Sequence, residues 1–161
     1  MVMLWGVRDF AHRRALSILD SHTYSGEVPE HFSALPVAVN PFAWMGVVET
    51  ESSFHVVRMN ALDANRVPEE VGIFEKPQMS PPLLAAMKTH GGKIFLDFAR
   101  FPWAQVTESE QGYIVSLQDL RFYRAATRSQ SFALEVNLDK SLATRSEHFY
   151  FAASPRPGRG D

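Results

Sequence analysis

The sequence predicts an α+β fold: a single antiparallel β-sheet with an N-terminal helix and a central helical segment packed on one face. Three observations carry this. Apolar residues from Leu4 to Leu19 recur at helical intervals, and those from Ser131 to Leu138 alternate strictly. Between Phe95 and Tyr123 the apolar spacing changes from about 3.6 to about 2, which marks a helix feeding an antiparallel hairpin.

The totals bound the answer. At 161 residues, 45% hydrophobic and 21% charged, the chain has the length and composition of one globular domain. That domain is expected over 1–153 as a soluble unit, with the Pro/Gly/Arg-rich stretch 154–161 as a disordered tail. A net charge of -2 lacks the surplus of Lys and Arg that a nucleic-acid partner requires. The absence of cysteine excludes disulfides, thiolate metal sites and cysteine nucleophiles together. No run approaches the roughly 18 apolar residues that span a bilayer.

In chain order, Leu4, Val7, Ala11, Ala15, Ile18 and Leu19 form the apolar stripe of the first helix, with Arg8, His12 and Arg13 off that line. No capping Ser, Thr, Asp or Asn precedes its first turn, so the helix reads either as the continuation of a removed membrane span or as a core helix with a frayed start. Trp5 beside Arg8 suits a membrane interface in the first case. Ser21 to Pro36, with Gly26, Pro29 and Pro36, reads as a surface connection. Ala43 to Thr50 and Phe54 to Leu62 have the content of paired strands around Glu51-Ser52-Ser53, and Val71 to Phe74 is at best a short edge strand.

Ser80-Pro81-Pro82 supplies a helix start, Gly91-Gly92 should interrupt that helix, and a second helix should end before Phe101-Pro102 with Arg100 near its carbonyl end. Two strands flank Glu108 to Gly112. In the second of them the apolar phase shifts from Val115 and Leu117 to Leu120 and Phe122, which a bulge near Gln118-Asp119 explains. Ser131 to Leu138 and Glu147 to Ala152 close the sheet around an Asp139-Lys140-Ser141 turn. No internal repeat is evident.

Chemistry-bearing residues are sparse. The six histidines contain no i, i+4 pair for a metal, and no Gly-x-Ser-x-Gly, P-loop or Gly-x-Gly-x-x-Gly is present. No catalytic residue is assigned. Asp97, Arg100, Asp119 and Arg121 lie where a helix end and a hairpin converge, either as an ion-pair network or, with Arg58, as a pocket whose guanidinium groups suit a carboxylate or phosphate. Trp44, Trp103 and Tyr113 suit either the core or a ligand groove.

Asn40-Pro41-Phe42-Ala43-Trp44, Val47-Val48-Glu49, Phe98-Ala99-Arg100-Phe101-Pro102 and Asp119-Leu120-Arg121-Phe122 carry a resemblance. In their order and spacing the chain resembles the soluble C-terminal portion of the bacterial YdjM-like membrane-bound metal-dependent hydrolases. The resemblance implies an accessory domain, non-catalytic by itself, whose partner is the transmembrane portion of its own longer chain at the bacterial cell membrane. The metal ligands behind the hydrolase label would lie in that membrane portion, so a divalent metal belongs to the full-length protein and no cofactor to this segment. Two other readings stay open. One is a domain binding a small ligand or lipid through Trp44 and Trp103, or an anion through Arg58, Arg100 and Arg121, and the other is a hydrolase with its site near Arg58, Arg100, Asp119 and Arg121.

Overall fold

A computed structural model of the chain describes residues 2–37, 40–63, 65–124, 129–130 and 132–151. The expected tail 154–161, the strand ends at Ser131 and Ala152, and the side chain of Trp5 lie outside the described part. Two compact units divide the chain, Met1–Lys76 and Pro77–Asp161.

The first unit opens with helix α1 (Val2–Asp20), followed by strands β1 (His31–Pro36), β2 (Ala43–Glu49), β3 (Ser53–Asn60) and β4 (Glu69–Glu75). These four strands make one antiparallel sheet in chain order, β1-β2-β3-β4. The stripe read from the sequence is the packing face of α1, with Ala11, Ala15, Ile18 and Leu19 buried in one cluster with Trp44, Val57 and Met59. Close approach requires Gly46 in β2: a Cβ there would lie 2.6 Å from a Leu19 methyl and 2.8 Å from Met59 and Val57 carbons. Full burial of Ile18 and Leu19 contributes about 1.5–3 kcal/mol each. The stripe outruns the sheet, however. Residues 6–10 are all exposed, and Val7 and Phe10 are 42% and 56% exposed although Val7 continues the line of Ala11 and Ile18.

The second unit opens with α2 (Pro81–Lys88) and α3 (His90–Phe98), then β5 (Pro102–Ser109) and β6 (Gly112–Asp119). A 3₁₀ turn at Leu120–Phe122 leads to β7 (Tyr123–Arg124), β8 (Ser129–Gln130), β9 (Phe132–Asp139) and β10 (Thr144–Phe151). The larger sheet has the order β10-β9-β6-β5, all antiparallel, and β7 pairs with β8 in a short ribbon. Leu83, Ala86 and Phe95 of the helices form one core cluster with Val115, Leu117, Leu134, Val136 and Leu138 of the strands.

The expected single sheet is therefore wrong: the described residues form two separate four-stranded sheets, and the helices do not share one face. α1 belongs with the first sheet's core, and α2 and α3 belong with the second's. Four local expectations change as well. His31–Pro36 is a strand rather than a connection, because a proline is tolerated at the end of an edge strand. Glu69–Glu75 is a full seven-residue edge strand. The helix break falls at Thr89, whose hydroxyl accepts the Gly92 N–H as the N-cap of α3, so Gly91-Gly92 begins a helix instead of ending one. The phase shift after Leu117 comes from the 3₁₀ turn, not a bulge, since β5 and β6 stay in register through Pro102↔Asp119. Among the described residues no helix is long and apolar enough to cross a membrane.

Candidate functional site

Strand β6 ends on Asp119, which is fully buried and caps the 3₁₀ turn through its side chain. Its Oδ1 accepts the Arg121 N–H at 3.0 Å, and its Oδ2 accepts the Arg100 N–H at 3.1 Å, Arg121 Nε at 2.9 Å and Arg121 Nη2 at 2.6 Å. Arg121 Nη2 also donates to the Phe98 carbonyl at 3.1 Å. One carboxylate thus ties the exit of α3 to the end of β6, and the buried charge is satisfied by a fork of charge-assisted bonds.

Phenylalanines surround this centre. The Arg121 guanidinium carbon lies 5.2 Å from the Phe98 ring and 5.3 Å from the Phe122 ring, which stack at 6.0 Å. Phe132 touches Phe98, Phe122, Phe149 and Phe151 in turn. An open cleft beside the ion pair is lined by Asp97, Phe98, Ala99, Arg100 and Arg121.

Of the residues singled out from sequence, the structure brings together Arg100, Asp119 and Arg121 around one carboxylate. Arg58 belongs to the first unit, where it is exposed on β3 and stands 3.7 Å from Glu69. Trp44 is also in the first unit and is 2% exposed, its indole N–H donating to the Pro41 carbonyl at 3.1 Å and its ring stacked 5.2 Å from His12. A shallow groove beside it is lined by Arg8, Asp9, His12, Ala34 and Pro36.

A second polar constellation is not evident from the sequence pattern. His55 is fully buried on β3, with Nε2 2.9 Å from Ser53 Oγ and Nδ1 2.6 Å from Glu70 Oε1 on β4. Ser53 Oγ and the Ser53 carbonyl oxygen each lie 3.1 Å from Thr50 Oγ1. The connectivity Ser–His–Glu is that of a nucleophile, its base and an orienting acid, but Ser53 is only 5% exposed. The one signal in the sequence is the Ser-x-His spacing at the start of a strand, which places both side chains on one face. The hairpin loop expected at Glu51-Ser52-Ser53 hides it by leaving Ser53 outside the strand, and the polar stretch around Glu70 does not announce the partner strand.

Tyr24 closes the other side, its ring 5.4 Å from His55 and its hydroxyl donating to the Leu19 carbonyl at 3.2 Å. Burial, with the negative charge of Glu70 second, pushes the Tyr24 phenol up to about 12 from its ordinary 10.0. A raised phenol holds its proton more tightly in the folded chain. The associated stabilisation is therefore present below pH 10 and lost as pH rises from 10 towards 12. Spectrophotometric titration should show Tyr24 ionising near 12, and Tyr24→Phe should remove that step. Glu27 is held below the usual carboxylate range by hydrogen bonds from Thr50 and Ser52, including the Ser52 N–H at 3.0 Å.

Among the described residues no group of three His, Cys, Asp or Glu is placed to hold a metal. No curated protein and no solved structure matches the chain. Residues 81–155, from the start of α2 to just past β10, match the family model described as the YfhP C-terminal alpha/beta plait domain. That match overturns the resemblance to the YdjM-like hydrolases, and the second unit is similar instead to an alpha/beta plait.

Proposed function

We propose that this chain is a non-catalytic accessory module of a longer membrane protein, docked through the outer half of α1 onto the membrane-embedded part of that protein. The observation that carries the reading is the exposure of Val7 on a helix whose later residues in the same apolar stripe, Ala11, Ala15, Ile18 and Leu19, are buried. An apolar stripe that continues past its own sheet presents surface suited to a partner.

The absence of cysteine makes the test direct. Val7→Cys introduces a single thiol at an exposed position on the stripe, which a maleimide should label rapidly in the isolated chain. In a longer protein that carries the proposed membrane-embedded part, labelling is expected to slow many-fold, and equal rates in the two forms would sink the docking reading. A hydrolase reading is favoured by one observation, the Ser53-His55-Glu70 series. Esterase turnover by the isolated chain, abolished in Ser53→Ala, would establish that reading in place of the accessory one.

A further inference from the structure

Two arginines meet at one cleft of the second unit, and a single buried carboxylate fixes where both stand. Asp119 holds the backbone of Arg100 as well as the backbone and side chain of Arg121. The cleft they border has a volume of ≈ 580 Å³. Arg121 commits Nε and Nη2 to Asp119 and the Phe98 carbonyl, and Nη1 takes no hydrogen bond among the described residues. The Arg100 side chain is exposed and makes no salt bridge among the described residues. Phe98, 52% exposed, forms an apolar wall of the same cleft.

The arrangement selects for chemistry. A guanidinium already locked by Asp119 and two rings gives up little rotamer freedom when it takes a ligand. Planar N–H donors suit the paired oxygens of a phosphate or carboxylate. Asp97 on the rim and Asp119 beneath offset the two positive charges, so a bare, strongly hydrated polyanion gains little, whereas an anion with an apolar portion also gains contact with Phe98. We propose that this cleft binds an oxyanion borne on an apolar group, a phosphate monoester or carboxylate whose aromatic or acyl part lies on Phe98. A free amphiphile and the phosphate monoester headgroup of phosphatidic acid both present that chemistry.

Phenyl phosphate, inorganic phosphate and vesicles of phosphatidylcholine mixed with phosphatidic acid are the probes, titrated by calorimetry against the whole chain and against Arg100→Ala. Removing the Arg100 side chain keeps the backbone N–H that Asp119 uses, so melting should not change. Phenyl phosphate should bind more tightly than inorganic phosphate, and Arg100→Ala should weaken it about tenfold or more, the loss of one charge-assisted contact. Vesicle binding that depends on Arg100 would support the proposal and assign the lipid source, and phenyl phosphate binding without it would support the free amphiphile. No binding by the unaltered chain at millimolar phenyl phosphate overturns the proposal. So does equal affinity in Arg100→Ala, or inorganic phosphate bound as tightly as phenyl phosphate.

Discussion

Asp119→Ala is expected to lower the unfolding free energy by about 3–5 kcal/mol, the loss found when one partner of a buried ion pair is removed. The reason lies in what is left behind. The Arg121 side chain is only 18% exposed, and without Asp119 it keeps a single hydrogen bond among the described residues, to the Phe98 carbonyl. The N–H groups of Arg100 and Arg121 lose their acceptor as well. Urea denaturation of Asp119→Ala, Arg121→Leu and the double variant checks this. The double variant should be less damaged than the two single losses added together, because the apolar replacement removes the stranded charge. Strict additivity would mean that the carboxylate and guanidinium act independently, which the 2.6 Å contact between them contradicts.

His55→Ala is expected to cost about 2–4 kcal/mol, from a cavity in a fully buried site together with the loss of two hydrogen bonds. Its two former partners fare differently. Ser53 Oγ still has Thr50 Oγ1 at 3.1 Å, and the Glu70 side chain is 41% exposed, so water can replace the imidazole there. Glu70→Gln should therefore cost much less than His55→Ala, since an amide oxygen accepts from Nδ1 almost as the carboxylate does. A Glu70→Gln variant as unstable as His55→Ala would place the value of the site in the charge and not in the filled volume. Denaturation midpoints of the two variants, taken at one pH, separate these outcomes.

The elements are legible where one signal dominates. Alternation in Phe132 to Leu138 and the stripe of Ala11, Ala15, Ile18 and Leu19 predict β9 and α1, because burial of one face outweighs every other contribution to where each element lies. Partition into two sheets is not legible, since strand periodicity records a buried face but carries no record of which strand lies alongside. The 3₁₀ turn looks like a bulge for a related reason: both change the phase of apolar residues, and only the Asp119 cap distinguishes them. Asp119 with Arg121 is visible as an i, i+2 pair, although the 3₁₀ turn and not strand alternation joins them, whereas the bond from Arg100 is backbone-mediated and leaves no trace in residue type. Charge alone groups Arg58 with them, and charge says nothing of distance along the fold.

Within each unit a helical segment is followed by strands. Every strand pair of the first sheet joins neighbours in sequence, so closing it requires only short loops and little loss of loop entropy. In the second sheet the long reach is β6 to β9, across the 3₁₀ turn and the β7–β8 ribbon. During synthesis the first sheet can zip up hairpin by hairpin once Glu75 has left the ribosome. The second gains the inner pairing of β6 only once β9 has followed the ribbon, so its sheet is completed last in synthesis.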